Sequence, residues 1–181
     1  MIRIAIVEDE SMYSDTLQQY LERYGQEIGE VFQTAVYSDG DEILENYKGQ
    51  YDIILMDIEM QYMDGMSTAE EIRKSDQKVI IIFITRVAQY AIRGYAVDAL
   101  DYVLKPVSYF AFTQRLGRAI SRMRKRETRY ITITSKSGIL NVALSDLIWI
   151  ESRGHRVVYY TVQQQFESTV YSMKELEKKL I

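Results

Sequence analysis

The chain has no cysteine, one proline, one histidine and no long hydrophobic run. Without cysteine it has no disulfide framework, no zinc knuckle, no iron–sulfur cluster and no thiol nucleophile. The longest apolar run, Val79–Ile84, falls far short of the roughly 20 residues a membrane-crossing helix needs. The first apolar stretch breaks at Glu8-Asp9-Glu10, a triplet that the apolar core of a secretory signal does not tolerate. These absences predict a soluble, cytoplasmic protein that does not enter a membrane.

What is present is 181 residues, 47% of them apolar, enough for one domain or two small ones with a substantial core. The net charge of −4 conceals an uneven distribution. Residues 1–121 carry 11 Lys+Arg against 20 Asp+Glu, a net of −9, whereas residues 122–181 carry 11 against 6, a net of +5. An acidic part joined to a basic part often accompanies polyanion binding by the basic one.

The first two-thirds alternate between two periodicities. Short apolar runs at Arg3–Val7, Val31–Tyr37, Ile53–Met56, Val79–Ile84 and Tyr102–Leu104 read as strands. They are continuous rather than alternating, as expected of parallel strands covered on both faces. Between them, apolar residues three and four apart predict helices around Leu17–Tyr24, Asp41–Tyr47, Met66–Lys74, Ala88–Tyr95 and Tyr109–Arg126, with Ser67-x-x-Glu70 as a capping box for the third. Five strand–helix repeats predict an α/β fold with a doubly wound five-stranded parallel sheet, whose ligands collect beyond the carboxyl ends of the strands.

After about residue 127 the pattern changes to short strands with tight turns. Tyr130–Thr134, Ile139–Ala143, Leu147–Ile150, Arg156–Val162 and Phe166–Tyr171 read as strands, with Arg153-Gly154-His155 as a loop. Ser172-x-x-Glu175 opens a last predicted helix, Met173–Leu180. The result is a smaller, mostly β module of meander type.

The strand-end rule brings Glu8 and Asp9 (after the first strand), Asp57 (third), Thr85 (fourth) and Lys105 (fifth) to one edge of the sheet. Three carboxylates so close repel one another unless a hard divalent cation sits among them. Mg²⁺ suits this role because it takes oxygen ligands, keeps several waters and shares phosphate oxygens. A carboxylate held there can attack phosphorus and become an acyl phosphate. A neighbouring hydroxyl and ammonium then bond the phosphoryl oxygens.

The segments Val7-Glu8-Asp9-Glu10, Leu55-Met56-Asp57-Ile58-Glu59-Met60, Met63-Asp64-Gly65-Met66, Ile84-Thr85 and Asp101-Tyr102-Val103-Leu104-Lys105-Pro106 resemble the receiver domain of bacterial two-component response regulators, a flavodoxin-like fold. The likeness covers residues 1–122. It implies that Asp57 accepts a phosphoryl group from a partner sensor histidine kinase. It further implies that Glu8, Asp9, Asp57 and the backbone carbonyl of Glu59 surround Mg²⁺, with Mn²⁺ as the alternative ion. Thr85 and Lys105 match the family's hydroxyl and lysine, Tyr102 its aromatic switch partner to Thr85, and Pro106 the residue after its cis peptide. Two positions depart from the pattern. Gln61 stands where the family commonly has proline, predicting a looser loop. Arg86 follows Thr85 where a small residue is usual; it either obstructs the pocket or adds a cation beside the phosphate, and is expected to alter acyl-phosphate lifetime.

A basic linker, 123–129, leads to residues 130–181, which resemble the N-terminal part of a LytTR-type DNA-binding domain. The likeness rests on Ile131-Thr132-Ile133, Leu147-Ile148-Trp149-Ile150-Glu151-Ser152, Gly154-His155-Arg156-Val157 and Leu176-Glu177-Lys178-Lys179-Leu180. It implies DNA contacts from His155, flanked by Arg153 and Arg156, since arginine reads guanine bidentately and either cation holds phosphate. The family's domain is about twice as long as what remains here. The expectation is therefore a shortened module, or one completed by another chain, that binds DNA weakly and in a salt-sensitive way.

The leading expectation is a transcriptional regulator. Phosphorylation of Asp57 rearranges the face around the fourth helix and fifth strand, drives homodimerisation and controls promoter DNA binding. Apart from phosphorylating and dephosphorylating itself at Asp57, it is not an enzyme. One rival keeps the receiver but makes the β module a protein-interaction unit. Another is a Mg²⁺-dependent phosphatase using Asp57 and Glu59.

Overall fold

The computed structural model describes residues 1–45, 47–91, 97–127, 130–135, 138–154 and 156–168. The chain divides into two compact units, 1–123 and 124–181.

In the first unit five strands form one parallel sheet in the order β2-β1-β3-β4-β5. They are β1 Ile2–Val7, β2 Phe32–Tyr37, β3 Ile53–Met56, β4 Ile80–Thr85 and β5 Asp101–Leu104. Helices α1 Ser11–Ile28, α2 Gly40–Glu45, α3 Gly65–Ser75 and α4 Tyr109–Glu127 connect and flank them. The apolar runs are continuous because successive side chains point to opposite faces and both faces are covered. Ile4, Ile6, Ile53, Leu55, Ile82 and Ile84 pack with Leu17 and Leu21 of α1 and with Phe112 and Leu116 of α4. Their neighbours in sequence, Ala5, Val7, Ile54, Met56, Ile81 and Phe83, pack on the other face with Ile43 of α2 and Met66 and Ile72 of α3.

The α1 connection from β1 to β2 lies on one face of the sheet and the α2 connection from β2 to β3 on the other, so a crevice opens at the carboxyl ends of β1 and β3. The register fixes its walls. Val7 pairs with Met56, Met56 with Phe83, and Thr85 with Leu104. Residues 8–9, 57, 85–86 and 105 therefore all emerge at the same edge.

One expectation needs correction, and two helices are placed more closely. The capping box at Ser67 is not formed. Helix α3 begins at Gly65, and the Asp64 carboxylate accepts the N–H groups of Met66 and Ser67, both at 3.0 Å. An ionised Asp one turn earlier reaches those orphan donors, so Ser67 instead donates its hydroxyl to Asp64 (2.7 Å). Helix α4 ends at Glu127, one residue beyond the predicted helix Tyr109–Arg126 that runs on into the basic segment. Of the predicted helix Ala88–Tyr95, the described part is a 3-10 turn, Ala88–Ala91; residues 92–96 lie outside the described residues.

The second unit has a two-stranded antiparallel ladder, β6 Tyr130–Ser135 with β7 Gly138–Ala143, and a three-stranded meander ordered β10-β9-β8. The meander strands are β8 Leu147–Arg153, β9 Arg156–Thr161 and β10 Gln165–Ser168. Ile131, Ile133, Val142, Val157 and Tyr159 form its core, with Leu147, Ile150 and Phe166 packed against it. The end of the predicted strand Phe166–Tyr171 and the predicted helix Met173–Leu180 lie outside the described residues. Among the described residues no helix is long and apolar enough to cross a membrane.

Candidate functional site

The crevice at the strand ends is a buried charge cluster. Asp57, Glu8, Lys105 and Thr85 are all buried. Asp57 accepts the backbone N–H groups of Ile58 (2.6 Å) and Glu59 (3.3 Å) on Oδ1, while Lys105 Nζ donates to Oδ2 at 2.6 Å. The same ammonium donates to Glu8 Oε1 at 2.7 Å and lies 4.4 Å from the centre of the Tyr13 ring. The Lys105–Pro106 peptide is cis, as the resemblance implied.

Burial dominates the titration of Glu8, pushing its carboxyl from 4.5 to about 7 against the lowering pull of the Lys105 bond. Burial works in the opposite sense on Lys105, but bonds to Asp57 and Glu8 hold its ammonium above the usual lysine range. One cation thus serves two buried carboxylates. The second oxygen of Glu8, Oε2, is buried without a hydrogen-bond partner. An orphaned carboxylate oxygen at this depth is costly unless a cation takes it. Glu8, Asp9 and Glu10 bring carboxylate oxygens within 4.8 Å of one another. This donor set, all oxygen and in excess of negative charge, fits a hard divalent cation.

The remaining expected residues line the same crevice. Thr85 ends β4, and its Oγ1 accepts the Val87 N–H at 3.4 Å. The Tyr102 hydroxyl donates to the Val87 carbonyl, so one residue links the two expected to act as a switch. Glu59 gives its N–H to Asp57. Its carbonyl, not its carboxylate, was the group implicated in cation binding.

Sequence reading missed two residues here. Glu10 was noted only as part of an acidic triplet, yet it joins the carboxylate group and pairs with Arg86 (2.6 Å). Asp39 was not singled out at all. Its buried carboxylate accepts Gly40 N (2.7 Å), Tyr62 N (2.9 Å) and Met63 N (2.8 Å). Burial opposes the Asp39 charge, but these N–H groups outweigh it and lower its pKa. The two residues that follow Gln61 in its loop are thereby bonded to Asp39. An Asp-Gly pair opening a helix looks like an ordinary cap, so no sequence signal separated it.

In the second unit Arg153 and Arg156 pair at the ends of β8 and β9. Gly154 has φ +60°, a conformation that side chains with Cβ resist. His155 lies outside the described residues. Arg153 donates to Glu151 and to Tyr160 Oη (2.8 Å), and Arg156 to Glu167 (3.0 Å). Beside them Trp149 stacks on Tyr160 with centroids 4.3 Å apart.

Comparison with known proteins fits this geometry. The family model of the response regulator receiver domain matches residues 4–117. Sensory transduction protein LytT of Oceanobacillus iheyensis is 26% identical over 99% of this chain and 74% of its own length. Transcriptional regulatory protein NatR of Bacillus subtilis is 27% identical over 93% of the chain and 71% of its own length. Among solved structures, response regulator TrrA of Thermotoga maritima in complex with Mg²⁺-BeF superposes with a TM-score of 0.58 at 28% identity, over 66% of this chain and 99% of that one. The non-phosphorylated HemR receiver domain of Leptospira biflexa gives 0.59 at 27%, over 67% and 95%. With a buried aspartate, lysine and threonine at the ends of three parallel strands, the chain belongs to the response regulator receiver domain family of two-component systems.

Proposed function

We propose that this chain is a phosphorylation-controlled regulator of transcription in which Asp57 takes a phosphoryl group from a sensor histidine kinase. The observation that carries this reading is the bonding of Asp57. Its Oδ1 is oriented by two backbone N–H groups and its Oδ2 by an ammonium, in a buried pocket lined with further carboxylates. An oriented carboxylate oxygen attacks the donor's phosphorus, and the leaving group departs with the electrons of the bond that breaks. Lys105 Nζ, already 2.6 Å from Oδ2, donates to a phosphoryl oxygen. The Thr85 hydroxyl turns from Val87 to do the same, and the freed Val87 moves with its other partner, Tyr102. Glu8, Asp9 and Asp57, with the Glu59 carbonyl, would hold Mg²⁺, which would supply Lewis-acid neutralisation of the phosphoryl charge. Fully reversing a two-state equilibrium that starts at 1:99 takes about 5.5 kcal/mol of differential bonding, a scale that several charge-assisted bonds reach together.

Incubation with acetyl phosphate and Mg²⁺ tests this reading. The intact mass gains about 80 Da, one phosphoryl group, and Asp57→Asn gains nothing. The phosphorylation is stoichiometric. Steady turnover of a phosphomonoester would instead support the phosphatase.

The output we assign to the basic unit is DNA binding, supported by its charge and by relatives described as transcriptional regulators. The resemblance of this unit to the LytTR class supports this output, in which a receiver-driven homodimer presents two such units to promoter DNA. Arg153 and Arg156 sit in exposed ion pairs, which are weak enough to exchange for phosphate. Changing both to alanine lowers the slope of log K against log salt by about 2. An unchanged slope favours the protein-interaction rival.

A further inference from the structure

Arg86 does not enter the acceptor pocket. It lies across the pocket's edge on Glu10, with Nη1 2.6 Å from Oε1 and Nη2 3.0 Å from Oε2. This is a two-point match between guanidinium and carboxylate. Its guanidinium is 5.3 Å from the centre of the Tyr13 ring, the same ring that Lys105 approaches at 4.4 Å. Lys105 Nζ is 3.9 Å from Glu10 Oε1 and 2.6 Å from Asp57 Oδ2. A single carboxylate therefore separates the Arg86 fork from the ammonium that holds the acceptor.

The pair is also poised to break. Arg86 is 54% exposed and Glu10 36%, so solvent screens their attraction and the bridge is worth little by itself. Glu10 belongs at the same time to the carboxylate group with Glu8 and Asp9. A phosphoryl group on Asp57 brings a charge near −2 and three acceptor oxygens to the pocket. A planar guanidinium prefers that geometry and charge to a lone exposed carboxylate.

We propose that Arg86 is a phosphoryl-binding residue which Glu10 holds aside until the acceptor is modified. This rests on Asp57 being the acceptor. When the phosphoryl group arrives, Arg86 leaves Glu10 for its oxygens, and Glu10 turns to the cation side with Glu8 and Asp9. The bridge is thus a competitor that lowers the pocket's affinity for a tetrahedral anion, and Glu10 sets how strongly.

Beryllofluoride, a phosphoryl mimic, tests this without turnover. It is titrated into the full chain at saturating Mg²⁺, followed by fluorine NMR and calorimetry. Arg86→Ala weakens binding about fivefold, the factor carried by one exposed charge pair, and Arg86→Lys recovers part of the loss. Glu10→Gln tightens binding by a similar factor. The double variant matches Arg86→Ala, because at saturating Mg²⁺ the effect of Glu10 on the anion runs through the arginine. Opposite signs for the two single variants are not produced by general loosening of the fold. Unchanged affinity in Arg86→Ala, or equal or weaker affinity in Glu10→Gln, overturns the proposal while leaving the acceptor reading intact. A gain from Glu10→Gln that persists in the Arg86→Ala background also overturns it, since Glu10 then acts by direct repulsion. Failure of the unmodified chain to bind beryllofluoride at all overturns the acceptor reading, and this proposal with it.

Discussion

In metal-free buffer, Glu8→Gln stabilises the first unit by about 3 kcal/mol at pH 8 and by little at pH 5. Folding raises the Glu8 carboxyl from 4.5 to about 7, chiefly by burial. The folded state therefore holds this proton more tightly than the unfolded chain. The stability this contributes is complete below about pH 4.5 and is lost as pH rises through about 7. Each tenfold gain in proton affinity on folding corresponds to about 1.36 kcal/mol, so the loss approaches 3 kcal/mol. Glutamine keeps an oxygen for Lys105 and adds an amide where Oε2 is now orphaned. Urea unfolding at both pH values checks this. The unmodified protein becomes less stable from pH 5 to 8 and the variant does not. Added Mg²⁺ restores the unmodified protein at pH 8, because a ligand bound only by the folded state stabilises it. A pH-independent difference between the two proteins would show that Glu8 is not held in this strained state.

Gly65→Ala destabilises the first unit by about 3 kcal/mol and also impairs phosphorylation. A Cβ on Gly65 would collide with the Asp57 carbonyl oxygen, and would stand 2.9 Å from that carbonyl carbon and 3.0 Å from Met56 Cγ. The Gly65 N–H bonds to the Ile58 carbonyl at 3.0 Å, so α3 starts directly against the acceptor's own backbone. Backbone cannot rotate out of the way as a side chain can, which puts the cost at the upper end of overpacking penalties. For a unit of this size the melting temperature falls by about 10 °C. Gly117 in α4 provides the contrast. A Cβ there meets only the Tyr24 hydroxyl, at 3.1 Å, the far end of a flexible side chain. Gly117→Ala is therefore neutral or gains up to about 1 kcal/mol of helix propensity. Equal effects from the two alanines would contradict this distinction.

The site was legible where strand ends carry it. Thr85 closes the fully buried β4, Asp57 follows the fully buried β3, and Glu8 and Lys105 follow β1 and β5, so the sheet's periodicity alone placed them together. The five strands were legible for the same reason, since runs such as Ile80–Ile84 have no other economical burial. The rest depends on spatial proximity that no local pattern encodes. Glu10 and Arg86 are 76 residues apart and became partners only through the parallel register of β1, β3 and β4. The cap of α3 was misread because Ser67-x-x-Glu70 fits the box pattern, whereas the competing Asp64 is visible only once the helix start is known. In the basic unit, Arg153-Gly154-His155 read as a loop because glycine signals a break. The pairing of Arg153 with Arg156 depends on the antiparallel register of β8 and β9, which that local signal does not carry.

In the function proposed here control depends on the covalent chemistry of one side chain, and reductive trapping reads it directly. Borohydride cleaves an acyl phosphate and reduces the carbonyl it came from, turning a phosphorylated aspartate into homoserine. After treatment with acetyl phosphate and Mg²⁺, peptide mapping finds homoserine at position 57 and nowhere else. Homoserine at position 9, reduction at Glu8 or Glu10, or unchanged aspartate at 57 in a protein that has gained the phosphoryl mass would contradict the account.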